Sequence, residues 1–155
     1  MTVETSTQAD LATLGKVLDQ TELFPSEMLP DMIRGFLDGS DTDAVWLTHQ
    51  GPDGADGFCF ATPEQMTDGT WNMLAIAVHP DAQGQGAGRA ITGALESNLR
   101  QRGARILIAD TSGTDDFAAT RAFYAAAGYT QESRIRDFWA AGDDKITFRK
   151  ALGDG

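Results

Sequence analysis

Three glycines in five residues, Gly84, Gly86 and Gly88, stand between an apolar run and an amphipathic one. That junction constrains the fold more than any other part of the 155-residue chain. The run before it, Asn72-Met-Leu-Ala-Ile-Ala-Val78, is apolar on both faces and reads as a central strand. The run after it carries Ile91, Leu95 and Leu99 at helical spacing and reaches about Arg102, with Gly103 as its stop. A further strand, Arg105 to Asp110, follows. A helix that starts beside glycines presents unpaired N–H groups and the positive end of its dipole. Glycines also let a pyrophosphate approach the backbone and permit the φ values of an anion nest. A phosphate-bearing ligand is the expectation, and a plain flexible loop before an ordinary helix start is the alternative. Two nucleotide motifs fail on residues. The dinucleotide fingerprint needs a third glycine where Arg89 stands, and a P-loop needs Lys and Ser/Thr where Arg89-Ala90 stand.

The remaining segments read less sharply. Leu11, Leu14, Val17 and Leu18 give a first helix with Asp10 as its N-cap, and Pro25-Ser-Glu27 opens a second through Leu37, with Pro30 in its first turn. Ala44–Thr48 and Gly57–Ala61 form an antiparallel hairpin about the Gly51-Pro-Asp-Gly54 turn. Asp116 to Ala127 is a helix stopped by Gly128, and Thr130–Phe138 with Ile146–Lys150 close the chain around Gly142-Asp-Asp144. A single domain over 1–155 is expected. Twelve basic against twenty-three acidic residues leave a net charge of −11, which argues against nucleic acid and anionic membranes as partners. Cationic ligands such as amines would be attracted. The acidity also fits a plain solubility adaptation. The lone Cys59 excludes an internal disulfide, and no His/Cys/carboxylate cluster has metal-ligand spacing, so no metal is expected. The polar opening lacks signal-peptide character, no stretch approaches a membrane span, and a cytoplasmic setting follows by elimination.

Gln83-x-x-Gly86-x-Gly88, after a strand ending Ile76-Ala-Val-His-Pro80, resembles the acetyl-CoA motif of the GNAT superfamily of N-acetyltransferases. Thr120-Arg-Ala-Phe-Tyr-Ala-Ala-Ala-Gly-Tyr129 is similar to a second segment of that family, in the right order and at a plausible separation. The resemblance covers about 71–152 well, with the acetyl-CoA core at about 71–130 and a C-terminal hairpin at about 130–152. It implies an α/β (α+β) fold: a mixed, mostly antiparallel six- to seven-stranded sheet, splayed at its centre and flanked by about four helices. It implies that acetyl-CoA is the cosubstrate. Backbone groups of Ile76, Ala77 and Val78 would pair with the pantetheine arm, and the loop of Gln83, Gly84, Gln85, Gly86, Ala87, Gly88 and Arg89 would hold the pyrophosphate. Dimers are common in the family.

Acetyl transfer to an amine needs a neutral amine and a proton for the departing thiolate. A lysine-type amine, with a pKa near 10.4, costs roughly 3.5 kcal/mol more to neutralise at pH 7 than an α-amine near 7.8. Some base, direct or through water, is therefore expected. Tyr124 flanks an apolar stripe of Ala119, Ala122, Phe123, Ala126 and Ala127 and so can face a cleft. The resemblance makes it the general acid, and an interface tyrosine bonding water is the alternative. Asp110, at a strand end where some relatives place a glutamate base, is the candidate base through water. A carboxylate bonding loop amides is its plain reading. Phe117 stands where the family often has a cofactor-contacting Asn.

By the same resemblance Phe138 and Trp139 line the acceptor cleft, with Asp137, Asp143 or Asp144 to attract an ammonium. The alternative is a hairpin with one aromatic buried. His79 reads as a turn residue and Cys59 as a small buried hydrophobe. The acceptor is a small amine, an amino-acid-like metabolite or a peptide N-terminus. The competing class is a non-catalytic acyl-CoA-binding or regulatory module.

Overall fold

In the computed structural model, which describes residues 2–21 and 23–153, a short strand β1 (Thr2–Thr5) precedes two helices, α1 (Leu11–Thr21) and α2 (Leu29–Asp38). Three strands come next, β2 (Val45–Gly51), β3 (Gly54–Pro63) and β4 (Thr70–Val78). α3 (Ala87–Gln101) leads to β5 (Ile106–Ser112), and α4 (Ala118–Ala126) to the hairpin β6 (Thr130–Ala140) and β7 (Asp143–Ala151). The seven strands make one sheet in the order β1-β2-β3-β4-β5-β7-β6. Every neighbouring pair is antiparallel except β4 with β5. This is the expected mixed sheet with four helices.

Two apolar cores, one on each face, hold the helices to the sheet. On one face Leu14, Val17 and Leu18 of α1 and Leu29 and Ile33 of α2 pack on Trp46, Phe58, Ala75 and Ala77. On the other, Ile91, Leu95 and Leu99 of α3 and Tyr124 of α4 pack on Leu107, Ala109, Ile146 and Phe148. The strand period of two assigns each residue to its face. Burying side chains of this size stabilises by about 1.5–3 kcal/mol each. Among the described residues no helix is long and apolar enough to cross a membrane.

Local expectations fail where polar chemistry competes with pattern. The mostly polar segment Thr2–Thr5 forms the edge strand β1 against β2, with Val3 its one apolar residue. Asp10 does not cap α1 from outside as expected. It lies in a 3-10 turn ahead of the helix, where its carboxylate accepts the Thr7 N–H (2.9 Å) and the Gln50 amide of β2 (3.1 Å). The last hairpin is longer than expected and turns at Ala141-Gly142, with Asp143 and Asp144 inside β7. The alanine stripe of α4 is a correction too: Ala119, Ala122 and Ala126 are exposed, and Tyr124 is the buried anchor. Alanines offer little area, so the two large rings, Phe123 and Tyr124, decide which side packs.

The sheet parts where its only parallel pair begins. β4 and β5 pair at Thr70↔Ile106, Trp71↔Leu107 and Asn72↔Ile108, and no pairing continues beyond these among the described residues. Past this fork β4 stays with β3 as far as Val78, and β5 stays with β7 as far as Ser112. A bulge at Leu74, where Phe60 faces Ala75 but Ala61 faces Met73, bends β4 just past the fork. Main-chain groups between the parted strands are left without a sheet partner, which is costly unless a ligand or water satisfies them.

Candidate active site

The opening between the strands continues into a cleft of about 550 Å³ between the end of β4, the glycine loop and α4. Ile76, Ala77 and Val78 form its strand wall, Gln83, Gly84, Gly86, Gly88 and Arg89 its loop wall, and Ala119, Thr120 and Phe123 the opposite side. Eight of the ten residues expected to hold a cofactor therefore line one cleft. Gln85 and Ala87 do not: Gln85 turns its amide back to the Asp81 carbonyl (3.3 Å), and the Ala87 methyl is buried. The wall made by α4 is absent from the sequence-based expectation, because helical spacing alone does not say which distant loop a helix will face.

The loop is built as a donor surface. Gly84 (φ +77°) and Gly86 (φ +91°) take left-handed conformations, and Gly86 is the N-cap of α3. The Ala90 N–H bonds back to the Gly86 carbonyl (3.0 Å), whereas the amides of residues 84–89 have no partner outside α3 among the described residues. Gly88 serves another purpose. A Cβ there would stand 3.1 Å from the Phe123 ring, so its absence lets α3 and α4 meet. The flanking side chains bond to the protein's own carbonyls. Gln83 donates to Val78 O (3.0 Å), and the Arg89 guanidinium donates to Ala126 O (3.0 Å) at the end of α4.

Tyr124 is buried and, unlike its neighbour Phe123, does not line this cleft. Its ring packs on Phe148 (5.3 Å between centroids), Tyr129 and Phe123. Burial pushes the Tyr124 hydroxyl well above the ordinary tyrosine range, and the negative charge of Asp110 adds to the shift. Arg121 fixes the start of α4 by donating to Ser112 O (2.7 Å) and Thr114 O (2.8 Å). Glu96 of α3 secures the chain just after α4, accepting from the Tyr129 hydroxyl (2.8 Å) and from Lys150 (2.9 Å). Phe117, in the 3-10 turn before α4, is half-exposed. Buried Cys59 is a core residue whose thiol is pushed up to about 12 by desolvation.

Asp110 lies on the sheet face opposite Tyr124, because its neighbours Leu107 and Ala109 point into the α3/α4 core. Thr147 donates to its Oδ1 (2.6 Å), and Asn72 Nδ2 (3.4 Å) and Lys145 Nζ (3.6 Å) approach its Oδ2. Asn72 also donates to Glu64 (2.9 Å). Sequence reasoning misses Asn72, Thr147, Lys145 and Glu64. Asn72 alone leaves a trace, as the polar residue heading an apolar strand.

Phe138 and Trp139 stand beside this group. Consecutive strand residues normally face opposite ways, yet these rings touch edge to face at 4.8 Å. The cause is a bulge: Ile135 faces Lys145 and Ala140 faces Asp143, so β6 carries extra residues there. Asp137 takes φ +55° within it, donating its N–H to Asp144 (2.9 Å) and accepting from Gly142 N–H (2.8 Å). Arg134 pairs with Asp144 (2.6 Å), and Trp139 Nε1 donates to Thr111 O (3.2 Å). The three carboxylates expected to attract an ammonium each hold a partner within the protein. Asp137 and Asp144 hold the bulge together, and Asp143 accepts from Ser112 (2.5 Å). Both rings remain half-exposed. His79 takes the turn role expected of it, its Nδ1 accepting the Asp81 N–H (3.1 Å).

Residues 41–131 match the model of the acetyltransferase (GNAT) domain. The chain belongs to the GNAT acetyltransferase family. A GNAT-family protein of Desulfovibrio desulfuricans is 28% identical and superposes with a TM-score of 0.89 over 97% of this chain and 98% of that one. An aminoglycoside 6′-N-acetyltransferase solved with coenzyme A shares the fold at 16% identity, with a TM-score of 0.82 over 100% and 99% of the two chains. The mycothiol acetyltransferase of Cellulomonas flavigena is 35% identical over 102 residues, 63% of this chain. The chain spans only about a quarter of that relative's length, 27%.

Proposed function

We propose that this GNAT-family chain is an N-acetyltransferase that moves an acetyl group from acetyl-CoA to a primary amine by direct attack. The observation that carries the reading is the fork, where unpaired main-chain groups of β4 run into a loop whose amides have no partner outside α3 among the described residues. Acetyl-CoA matches both parts in chemistry. Its pantetheine amides suit the strand edge at Ile76, Ala77 and Val78, and its diphosphate suits the amides of residues 84–89. The coenzyme A in the aminoglycoside enzyme supports the same assignment.

Acetyl-CoA supplies the thioester, and the chain's residues supply positioning and proton handling. Tyr124 keeps its proton throughout the neutral range because burial and Asp110 oppose its ionisation. The same shift makes it a weak acid. Its contribution is therefore a hydrogen bond to sulfur that tightens as the C–S bond breaks, with the proton following. Asp110, already bonded to Thr147, takes a proton from the incoming ammonium through water before attack, and the neutral amine then forms the C–N bond with its freed lone pair. Phe138 and Trp139 wall the approach on that face. A small amine, an amino-acid-like metabolite and a peptide N-terminus all satisfy this chemistry. A cytoplasmic setting fits the lone buried thiol of Cys59.

Incubation of acetyl-CoA with a metabolite and peptide library, followed by mass spectrometry of the products, tests the reading. An acetylated amine that forms only with enzyme present is the expected result. Acetyl-CoA binding with no acetylated product across the library would leave a non-catalytic acyl-CoA-binding module.

A further inference from the structure

The ammonium nearest the proposed base belongs to the protein. Lys145 of β7 places Nζ 3.6 Å from Asp110 Oδ2 and 4.4 Å from the centroid of the Phe138 ring. A carboxylate on one side and an aromatic face on the other is how a site recognises a primary alkylammonium. Lys145 fills this place imperfectly. A charge-assisted N–H···O bond runs at about 2.7–2.9 Å, so 3.6 Å is an ion pair without a good hydrogen bond. Asn72 reaches the same carboxylate oxygen through its Nδ2 (3.4 Å), and its own Oδ1 is buried without a partner among the described residues. The orientation of that amide is set by its Nδ2, which donates toward both Glu64 and Asp110. An ammonium has three donors, and here a half-buried carboxylate and a ring are offered to one that closes no good hydrogen bond with either.

We infer that Asp110, steadied by Asn72, and Phe138 form the subsite for the acceptor's ammonium, and that Lys145 is its resident occupant, displaced when substrate enters. The inference rests on the acetyltransferase reading and deepens it. The acceptor is a primary alkylammonium on a flexible stem, like the lysine side chain it replaces. It is not an α-ammonium flanked by a carboxylate, which Asp110 and Glu64 would repel.

n-Butylammonium, which reproduces the lysine stem, is the probe, titrated calorimetrically into the full chain at neutral pH. Lys145→Met should bind it about tenfold more tightly than the unmodified protein, since an ion pair and a cation–π contact no longer compete. Lys145→Arg keeps a competing cation and should stay near the unmodified value. Phe138→Leu in the Lys145→Met background should return part of the gain. Equal or weaker binding by Lys145→Met, or no binding by any variant, would overturn the inference. Acetyl-CoA affinity, measured on the same samples, separates the two readings. Its absence defeats the acetyltransferase assignment, whereas a missing butylammonium difference overturns this inference and leaves that assignment standing.

Discussion

The two sides of the fork are made of different material. On the cofactor side the chain offers main-chain groups and glycines, and the long side chains nearby are tied to its own carbonyls: Gln83 to Val78, Gln85 to Asp81, Arg89 to Ala126. On the proposed acceptor side it offers side chains, drawn from β4, β5, β6 and β7 and from Glu64 just beyond β3. A backbone site is tolerant of side-chain identity and sensitive to φ. A side-chain site is the reverse. Substitutions should therefore sort cleanly by which ligand they affect.

The largest separation is expected at Gly86. Its φ of +91° at the N-cap of α3 makes Gly86→Val strain the loop that carries the donors. Acetyl-CoA affinity should fall by about a hundredfold or more, a loss of roughly 3 kcal/mol, measured calorimetrically. Unchanged affinity would remove the loop from the cofactor site. Tyr124→Phe comes next and sharpens the comparison from the middle. Turnover should drop by about 10²–10³, in the range of general acid catalysis, while acetyl-CoA affinity stays within about threefold. A parallel loss of affinity would make Tyr124 a packing residue.

Asp144→Ala tests the acceptor side alone. It removes the acceptor of both Asp137 N–H and Arg134, which hold the bulge that brings Phe138 and Trp139 together. The KM for the amine should rise by about three- to tenfold with acetyl-CoA affinity unmoved, because the bulge is remote from the loop. The Asp137 amide, then Arg134, hold the Asp144 carboxyl below its usual range. The ordering of the bulge should therefore persist down to mildly acidic pH and fail only as pH falls through that lowered value.

The smallest expected effect lies in the core that both sides share. Cys59 and Tyr124 have raised folded-state pKa values, so their contribution to stability is complete below the unfolded values near 9 and 10 and is lost as pH rises above them. Denaturant midpoints should decline from about pH 9, first through Cys59. Cys59→Ala should flatten the first part of that decline. An unaltered slope would mean the thiol is not the group that titrates.

The legibility of each side comes from its material. The proposed cofactor side is readable because it is contiguous: strand, glycines and helix succeed one another, and each local signal agrees with the next. The acceptor side is readable only at Asp110, Phe138 and Trp139. Asn72 sits 38 residues from Asp110 and Thr147 sits 37, and no local pattern joins them. In the C-terminal region, regular strands would free Asp137 and Asp144 for a ligand. The structure gives them to a bulge that no apolar alternation signals.

The order of residues 72–110 by itself determined a strand, a donor loop, a helix and a strand, since each depends on neighbours within a few positions. Only the tertiary structure decided how far β4 and β5 stay paired, which face Asp110 occupies, and that Lys145 stands against it. Those outcomes depend on strand register and on two bulges. One added residue reverses every side chain beyond it, and the backbone between distant segments, not the local sequence, sets where that residue falls.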